Sequence, residues 1–262
     1  MNTNVVSVVF FGDANYGKST IVGRIYAENH NVDMAKTERE LREQLGSLYA
    51  ADWLYPSLVN PQIVESVKRG KKGASETHEI RNIEIEFEGM PTNTSFIDTP
   101  GQQEYQQEAA IGMEKGIIGF YCISVEKLLS DEFSADLFSR SEAFAEFHPN
   151  SKLIYLLTKF DLPVAGYKEE SYEYACEIIR EYAAKVEVTK EISAFGMGMG
   201  IMHTEKESDV NMIIPVAVEF DTAEKEGVNL FARSKKTPWY DGFSLVEAVR
   251  SQVQAINNAN GW

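Results

Sequence analysis

The sequence predicts an α/β fold in which a mostly parallel sheet is flanked by helices on both faces. Apolar, strand-like runs alternate with segments of helical periodicity along the whole chain, a pattern typical of parallel strands joined by crossover helices. The first run, residues 5–11, is apolar apart from one serine, as in a strand buried on both faces. It leads directly into a glycine-containing turn, after which helical periodicity begins.

The remaining elements follow from the same two periodicities. Residues 83–87 alternate apolar and acidic side chains, which indicates an antiparallel edge strand. Further strands are expected at 95–97, 117–125, 153–158 and 213–218. Helices are expected at 19–26, 169–186 and 243–253. One more amphipathic helix is expected to carry core contacts from Phe133, Leu137, Phe144 and Phe147.

Length and composition predict a single domain over residues 1–262, without repeats and without a linker rich in proline, glycine or serine. Residues 28–70 are too long for a simple connection, so this region is expected to carry its own helices, with breaks at Pro56 and Pro61. A methionine- and glycine-rich loop at 195–209 is interpreted as an insertion.

The charge balance limits the class of partner. A formal net charge of -15 argues against direct binding to DNA and against an anionic membrane surface, since both require clustered basic residues. An acidic surface favours either simple solubility or a basic protein partner. The chain has no apolar run of 18 residues and no leader-like start, so a cytoplasmic location is expected.

A phosphate-binding pattern follows the first strand. The pattern GxxxxGK[ST] is met by Gly12, Gly17, Lys18 and Ser19. Between a strand and a helix, such a loop points backbone N–H groups at a phosphate, while its lysine neutralises phosphate charge and its serine ligates Mg²⁺. This predicts the P-loop NTPase fold. The residues expected to bind the phosphates are Asp13, Asn15, Tyr16, Gly17, Lys18, Ser19 and Thr20.

Two further motifs each end a predicted strand. Asp98 can hold Mg²⁺ through water, and Gly101 can offer its N–H to a γ-phosphate. In the run Thr158, Lys159, Phe160 and Asp161, the aspartate can accept both N1–H and N2–H of guanine, a donor pair that adenine lacks. The three motifs together predict binding of GTP and GDP.

Order and spacing of these motifs resemble the GTP-binding domain of the translational GTPases, closest to archaeal and eukaryotic elongation factor 1-alpha. The matching runs are GDANYGKSTIVGRI, FIDTPG, TKFD, IIPVAVEF, GVNL and TPWYDGFSLVEAV, so the resemblance covers essentially the whole chain. It implies a Mg²⁺-dependent GTP switch with the ribosome or a translation factor as partner. The family's two β-barrel domains have no room within 262 residues, so a stand-alone domain is expected.

Three positions depart from the family pattern. Thr158 stands where the family has asparagine, which bears on nucleotide affinity. Gln102 stands where the family has histidine, and glutamine positions the attacking water in Ras-like GTPases. Asn15 replaces an aspartate and resembles the asparagine of GTPases that use K⁺, so a K⁺ site near Asn15 is a hypothesis.

Two assignments stay open between alternatives. The resemblance implies a first-switch threonine that closes onto Mg²⁺ and the γ-phosphate; Thr77 fits best and Ser75 is its rival. The loop behind the base is placed at Ala217 by the spacing of the closing segment, with Ala194 as the rival. The expected catalytic set is Gln102, Lys18 and Thr77, and the expected Mg²⁺ ligands are Ser19, Thr77 and Asp98.

Two functions compete at this point. The leading hypothesis is a GTPase switch that hydrolyses GTP to GDP and phosphate slowly until a partner activates it, because no arginine finger is identifiable in the sequence. The alternative is a degenerate guanine-nucleotide-binding scaffold with little or no hydrolysis. Gln102 and the altered first switch are the features that support the alternative.

Overall fold

The computed structural model describes residues 5–69, 79–87, 90, 92–131, 133–149, 151, 153–194, 213–217, 239 and 245–261. Its six strands are β1 (Val5–Phe11), β2 (Arg81–Ile85), β3 (Asn93–Asp98), β4 (Ile118–Ser124), β5 (Leu153–Thr158) and β6 (Ile213–Pro215). They form one sheet in the order β2-β3-β1-β4-β5-β6. Only the edge pair β2–β3 is antiparallel. The predicted α/β fold with a mostly parallel sheet is confirmed.

Helices occupy the crossovers between these strands. They are α1 (Lys18–Asn29), α2 (Met34–Leu45), α3 (Ser47–Val59), α4 (Gln62–Lys68), α5 (Gln106–Lys115), α6 (Val125–Leu128), α7 (Ser139–Phe147), α8 (Glu169–Ala194) and α9 (Leu245–Asn260). Two short 3-10 helices precede α5 and α7, at Gln103–Tyr105 and Ala135–Phe138. Among the helices that the structure describes, none is both long and apolar enough to cross a membrane.

The core lies against the middle of the sheet, and aromatic rings stack on one another within it. Phe10 of β1 stacks on Phe120 of β4 with ring centroids 5.1 Å apart, and Phe11 stacks on Phe144 of α7 at the same separation. All seven residues of β4 are buried, which explains its continuous apolar run. Because β1, β3, β4 and β5 run parallel, their carboxyl ends share one edge of the sheet, and that edge carries the predicted motifs.

The region between α1 and β2 carries the helices α2, α3 and α4, as expected from its pattern and length. Helix α3 packs closely on α1, because a Cβ added to Gly23 would lie 2.1 Å from the carbonyl oxygen of Tyr55. The Arg24 guanidinium lies 5.3 Å from the Tyr55 ring centroid and donates to the Tyr55 hydroxyl at 2.6 Å. These contacts hold α3 against α1, the helix that follows the glycine loop.

Some of the predicted element bounds were wrong. Pro56 lies inside α3, three residues before its end, whereas Pro61 does separate α3 from α4. The expected single helix through Phe133, Leu137, Phe144 and Phe147 is a 3-10 turn followed by α7, and Phe147 is 44% exposed rather than a core contact. The interpretation of 195–209 as an insertion falls outside the described residues.

Candidate functional site

The loop after β1 has the backbone that its glycines predict. Gly12 has φ 139°, and a Cβ at this position would lie 2.2 Å from the carbonyl oxygen of Cys122 in β4. Gly17, with φ 83°, immediately precedes α1. Asn15 also adopts a left-handed conformation, with φ 63°. The loop therefore curls tightly against the end of β4 and leads directly into α1. This arrangement presents backbone N–H groups to an anion.

Lys18 is buried beneath this loop. Its side chain donates from Nζ to the carbonyl oxygen of Asp13 at 2.8 Å, and the residue is only 6% exposed. Burial lowers the pKa of Lys18, and the nearby Asp98 carboxylate opposes that shift. The amine of Lys18 therefore lies against the backbone of the loop.

Ser19 and Asp98 meet directly below the loop. The Ser19 hydroxyl donates to Oδ2 of Asp98 at 2.6 Å, although 79 residues separate the two in sequence. Asp98 is fully buried, which raises its pKa against the lowering effect of Lys18. Its Oδ1 has no hydrogen-bond partner among the residues that the structure describes. A hydroxyl beside a carboxylate oxygen that lacks a partner is a donor set suited to a hard cation such as Mg²⁺.

The turn after β3 is fastened to β1 and pressed onto the phosphate loop. Thr99 donates from its backbone N–H and from its hydroxyl to the carbonyl of Phe10, at 3.2 and 3.0 Å. A Cβ added to Gly101 would lie 2.5 Å from the backbone nitrogen of Ala14 and 2.5 Å from Nζ of Lys18. Gln102 follows with an extended backbone and a half-buried side chain. The turn and the loop are thus in direct contact.

Arg140, in the first turn of α7, joins the loop to the turn, and sequence reasoning missed it. Its Nε contacts Oδ1 of Asp13 at 2.9 Å, and its Nη2 donates to the carbonyl of Gly101 at 2.8 Å. A basic residue at the start of a helix, where acidic residues are preferred, was the available signal. The residue lines a groove of about 570 Å³ that also borders Asp13, Gln103 and Gln106.

The run after β5 lies beside the end of β6. Thr158 is buried and donates from Oγ1 to the carbonyl of Ile123 at 3.2 Å, whereas Asp161 is exposed. The backbone N–H of Phe160 donates to the carbonyl of Val216 at 3.1 Å. Ala217, the next residue, is therefore adjacent to this run, whereas Ala194 is the last residue of α8. The choice of Ala217 over Ala194 as the residue behind a base stays a prediction.

Trp239, from the closing segment of the sequence, supports the same loop. Its indole N–H donates to the carbonyl of Tyr167 at 3.0 Å, and its ring lies 5.2 Å from Tyr172 and 6.1 Å from Phe160, centroid to centroid. Lys159 has a left-handed backbone, with φ 59°.

Both candidates for the first-switch hydroxyl, Thr77 and Ser75, lie outside the described residues.

The carboxyl edge of the parallel sheet carries a curled glycine loop with a buried lysine and a serine–aspartate pair. A second carboxylate-bearing loop lies along the same edge. This combination defines a P-loop nucleotide-binding protein. The elongation factor Tu GTP binding domain matches residues 3–255, and the chain belongs to that family. It is a GTP-binding domain of the translational GTPases, which confirms the resemblance drawn from its motifs.

Relatives include both elongation and release factors. The chain is 25% identical over 261 residues to the eukaryotic peptide chain release factor GTP-binding subunit of Candida maltosa, an alignment that covers 98% of this chain and 32% of that protein. It is 23% identical over 254 residues to elongation factor 1-alpha of Aeropyrum pernix, covering 93% and 49%. The chain therefore spans between a third and a half of the length of these relatives.

Solved structures share the fold at low sequence identity. The S. cerevisiae Ski7 GTPase-like domain bound to GTP superposes with a TM-score of 0.62 at 16% identity, covering 97% of this chain and 50% of that one. Sup35 complexed with GDP superposes with a TM-score of 0.51 at 20% identity, covering 95% and 45%. At these identities the likeness establishes the architecture alone.

Proposed function

We propose that this domain binds GTP and GDP with Mg²⁺ and hydrolyses GTP to GDP and phosphate as a slow molecular switch in translation. The observation that carries the proposal is the Ser19–Asp98 pair at 2.6 Å beside Lys18, directly below a turn that presents Gly101 and Gln102. Family membership supports the choice of nucleotide.

At the phosphate end of the site, a few residues account for the proposed contacts with the phosphates and with Mg²⁺. Lys18 binds the β- and γ-phosphates, and the loop N–H groups from Asp13 to Thr20 surround the β-phosphate. Ser19 and Asp98 would hold Mg²⁺, with Thr77 as the proposed third ligand, and the ion would supply positive charge against the phosphates. Gly101 donates its N–H to the γ-phosphate.

Hydrolysis requires one water held in line with the γ-phosphorus. Gln102 is proposed to orient this water, because it follows the glycine that meets the γ-phosphate. The water oxygen bonds to the γ-phosphorus as the bond to the β–γ bridging oxygen breaks, and GDP and inorganic phosphate result. Turnover without a partner is expected to be slow, since Arg140, which contacts both the loop and the turn, already bonds to backbone carbonyls and to Asp13.

The base end of the site supports recognition of guanine. Asp161 is proposed to accept N1–H and N2–H of the base, with Lys159 covering one face of the ring and Thr158 supporting the loop through Ile123. The N–H of Ala217 is proposed to meet the guanine O6.

Asn15 supports a proposal about a second cation. It is exposed and has a left-handed backbone in the phosphate loop, and an asparagine side chain together with loop carbonyls could hold K⁺ beside the β- and γ-phosphates. Hydrolysis measured in K⁺ and in Na⁺ at equal ionic strength tests this site, and equal rates would reject it.

Relatives named as elongation and release factors support the ribosome or a translation factor as partner and a cytoplasmic location. Co-sedimentation with ribosomes, with and without a non-hydrolysable GTP analogue, tests this partner. Binding only in the presence of the analogue is expected for a switch, and no binding in either condition would reject the ribosome as partner.

Thermal shifts with GTP, GDP and ATP test the nucleotide first, because a ligand that binds only the folded state raises its stability. GTP and GDP should stabilise the protein and ATP should not.

Single-turnover hydrolysis then compares wild type with Gln102→Ala and with Gln107→Ala, an exposed glutamine of α5 that serves as the control. Binding without hydrolysis in the wild type would favour the scaffold function.

A further inference from the structure

Arg140 uses all three of its guanidinium nitrogens in one place. Nε pairs with Asp13 in the phosphate loop at 2.9 Å. Nη1 donates to the carbonyl of Pro100 at 3.3 Å, and Nη2 donates to the carbonyl of Gly101 at 2.8 Å. One side chain from α7 therefore connects the loop after β1 to the turn after β3.

The surroundings of Arg140 indicate that this connection is specific. Its side chain is only 12% exposed, and it occupies the first turn of α7, where the positive end of the helix disfavours a cation. The Asp13 carboxylate offsets that cost. A planar fork of donors suits a carboxylate and two carbonyls together, which a lysine with a single nitrogen cannot reproduce.

The connection bears on the position of the turn relative to Lys18. A Cβ on Gly101 would lie 2.5 Å from Nζ of Lys18, so the turn rests on the amine that receives the phosphates. The β-phosphate approaches along the N–H groups of the loop. The γ-phosphate, in contrast, has to fit between the loop and the turn, so the turn must withdraw to admit it. Each bond from Arg140 to the turn resists that movement.

We propose that Arg140 is a positioning residue that holds the turn at Pro100 and Gly101 down on Lys18, with Asp13 as its anchor, and that it biases the domain toward GDP over GTP. The inference rests on the proposed guanine-nucleotide binding, but it does not require hydrolysis. A ratio of two affinities measured on one folded protein reports this role, whereas a purely structural role would change both affinities together.

The test is equilibrium binding of GDP and of a non-hydrolysable GTP analogue to wild type, Arg140→Gln and Arg140→Lys. Removing charge-assisted hydrogen bonds to the turn should raise the affinity for the analogue relative to GDP by about tenfold in Arg140→Gln. Arg140→Lys should shift the ratio in the same direction, because it retains the charge beside Asp13 but loses the fork. Arg180→Gln, at an exposed arginine of α8, is the matched control and should leave the ratio unchanged.

The outcomes separate this inference from the function on which it rests. A ratio in Arg140→Gln that stays within about twofold of wild type, or that moves toward GDP, overturns the inference. Parallel losses of both affinities overturn it as well, because they would assign Arg140 a structural role. If wild type binds neither nucleotide, the proposed function itself fails.

Discussion

The hydroxyl of Ser19, in the first turn of α1, lies 2.6 Å from the carboxylate of Asp98, at the carboxyl end of β3. Two features produce this contact: Phe10 of β1 is in register with Asp98, and the loop after β1 leads into α1, which carries Ser19. The packing of the chain itself therefore brings the phosphate loop and the turn after β3 together, without a ligand.

Ser19→Ala should remove most of the gain in GDP affinity that Mg²⁺ provides. The hydroxyl is a proposed metal ligand and also orients Asp98, and losses at such positions are about 10-fold to 100-fold in metal affinity. Titration of Mg²⁺ at fixed GDP measures the effect. Ser57→Ala is the control, because that hydroxyl donates to the carbonyl of Leu54 in α3. A Mg²⁺ response in Ser19→Ala that equals wild type would contradict the assignment.

Asp161→Asn should weaken GDP binding by at least about 100-fold, because the amide cannot accept two guanine donors and leaves one of them unpaired. The same amide can donate to the ring carbonyl that replaces the amino group in xanthine, so affinity for xanthosine diphosphate should rise. Competition against labelled GDP measures both changes. If the variant still prefers guanine, the base does not meet Asp161.

Gly12→Ala should lower the free energy of unfolding by at least about 3 kcal/mol, since it combines backbone strain with overpacking. Its Cβ would lie 2.2 Å from the carbonyl of Cys122, which belongs to β4 and cannot move away. Gly46→Ala is the matched control: φ is 83° there and open space surrounds the added carbon, so about 1 kcal/mol from strain alone is expected. Urea denaturation should separate the two variants, and equal losses would disprove the close approach.

Both cysteines should resist thiol reagents at pH 8 in the native protein. Burial raises the pKa of Cys122 to about 12 and also raises the pKa of Cys176. At pH 8 the Cys122 thiolate is then about one part in ten thousand, and the thiolate is the reactive form. Raising the pH toward 12 should speed modification, as should unfolding in urea, which exposes both thiols. Rapid labelling of either thiol in the native state would contradict this burial.

The places of the three motifs in the fold could be predicted because each motif is local. The loop at Gly12, the turn at Asp98 and the run at Thr158 each follow an apolar strand. Parallel strands bring their carboxyl ends to one edge, so three strand-end motifs in a parallel sheet must lie near one another. Family membership confirms the class of domain that these motifs predicted.

Element bounds were less predictable, because packing overrides local preference. Pro56 suggested a break, yet α3 continues through it, held against α1 by Tyr55 and Arg24. Helical spacing placed Phe133 and Phe147 on a single helix, but the chain turns at Ala135–Phe138 before α7 begins.

The sequence by itself determined which polar groups follow each strand: the glycine loop after β1, Asp98 at the end of β3, and Asp161 after β5. Only the tertiary structure decided that Arg140 reaches Gly101, 39 residues away, and that Val216 hydrogen-bonds to Phe160 and so brings Ala217 to the run after β5. The reason is physical. Periodicity reports which face of an element is buried, whereas contacts between elements depend on strand order and helix placement, which no local pattern encodes.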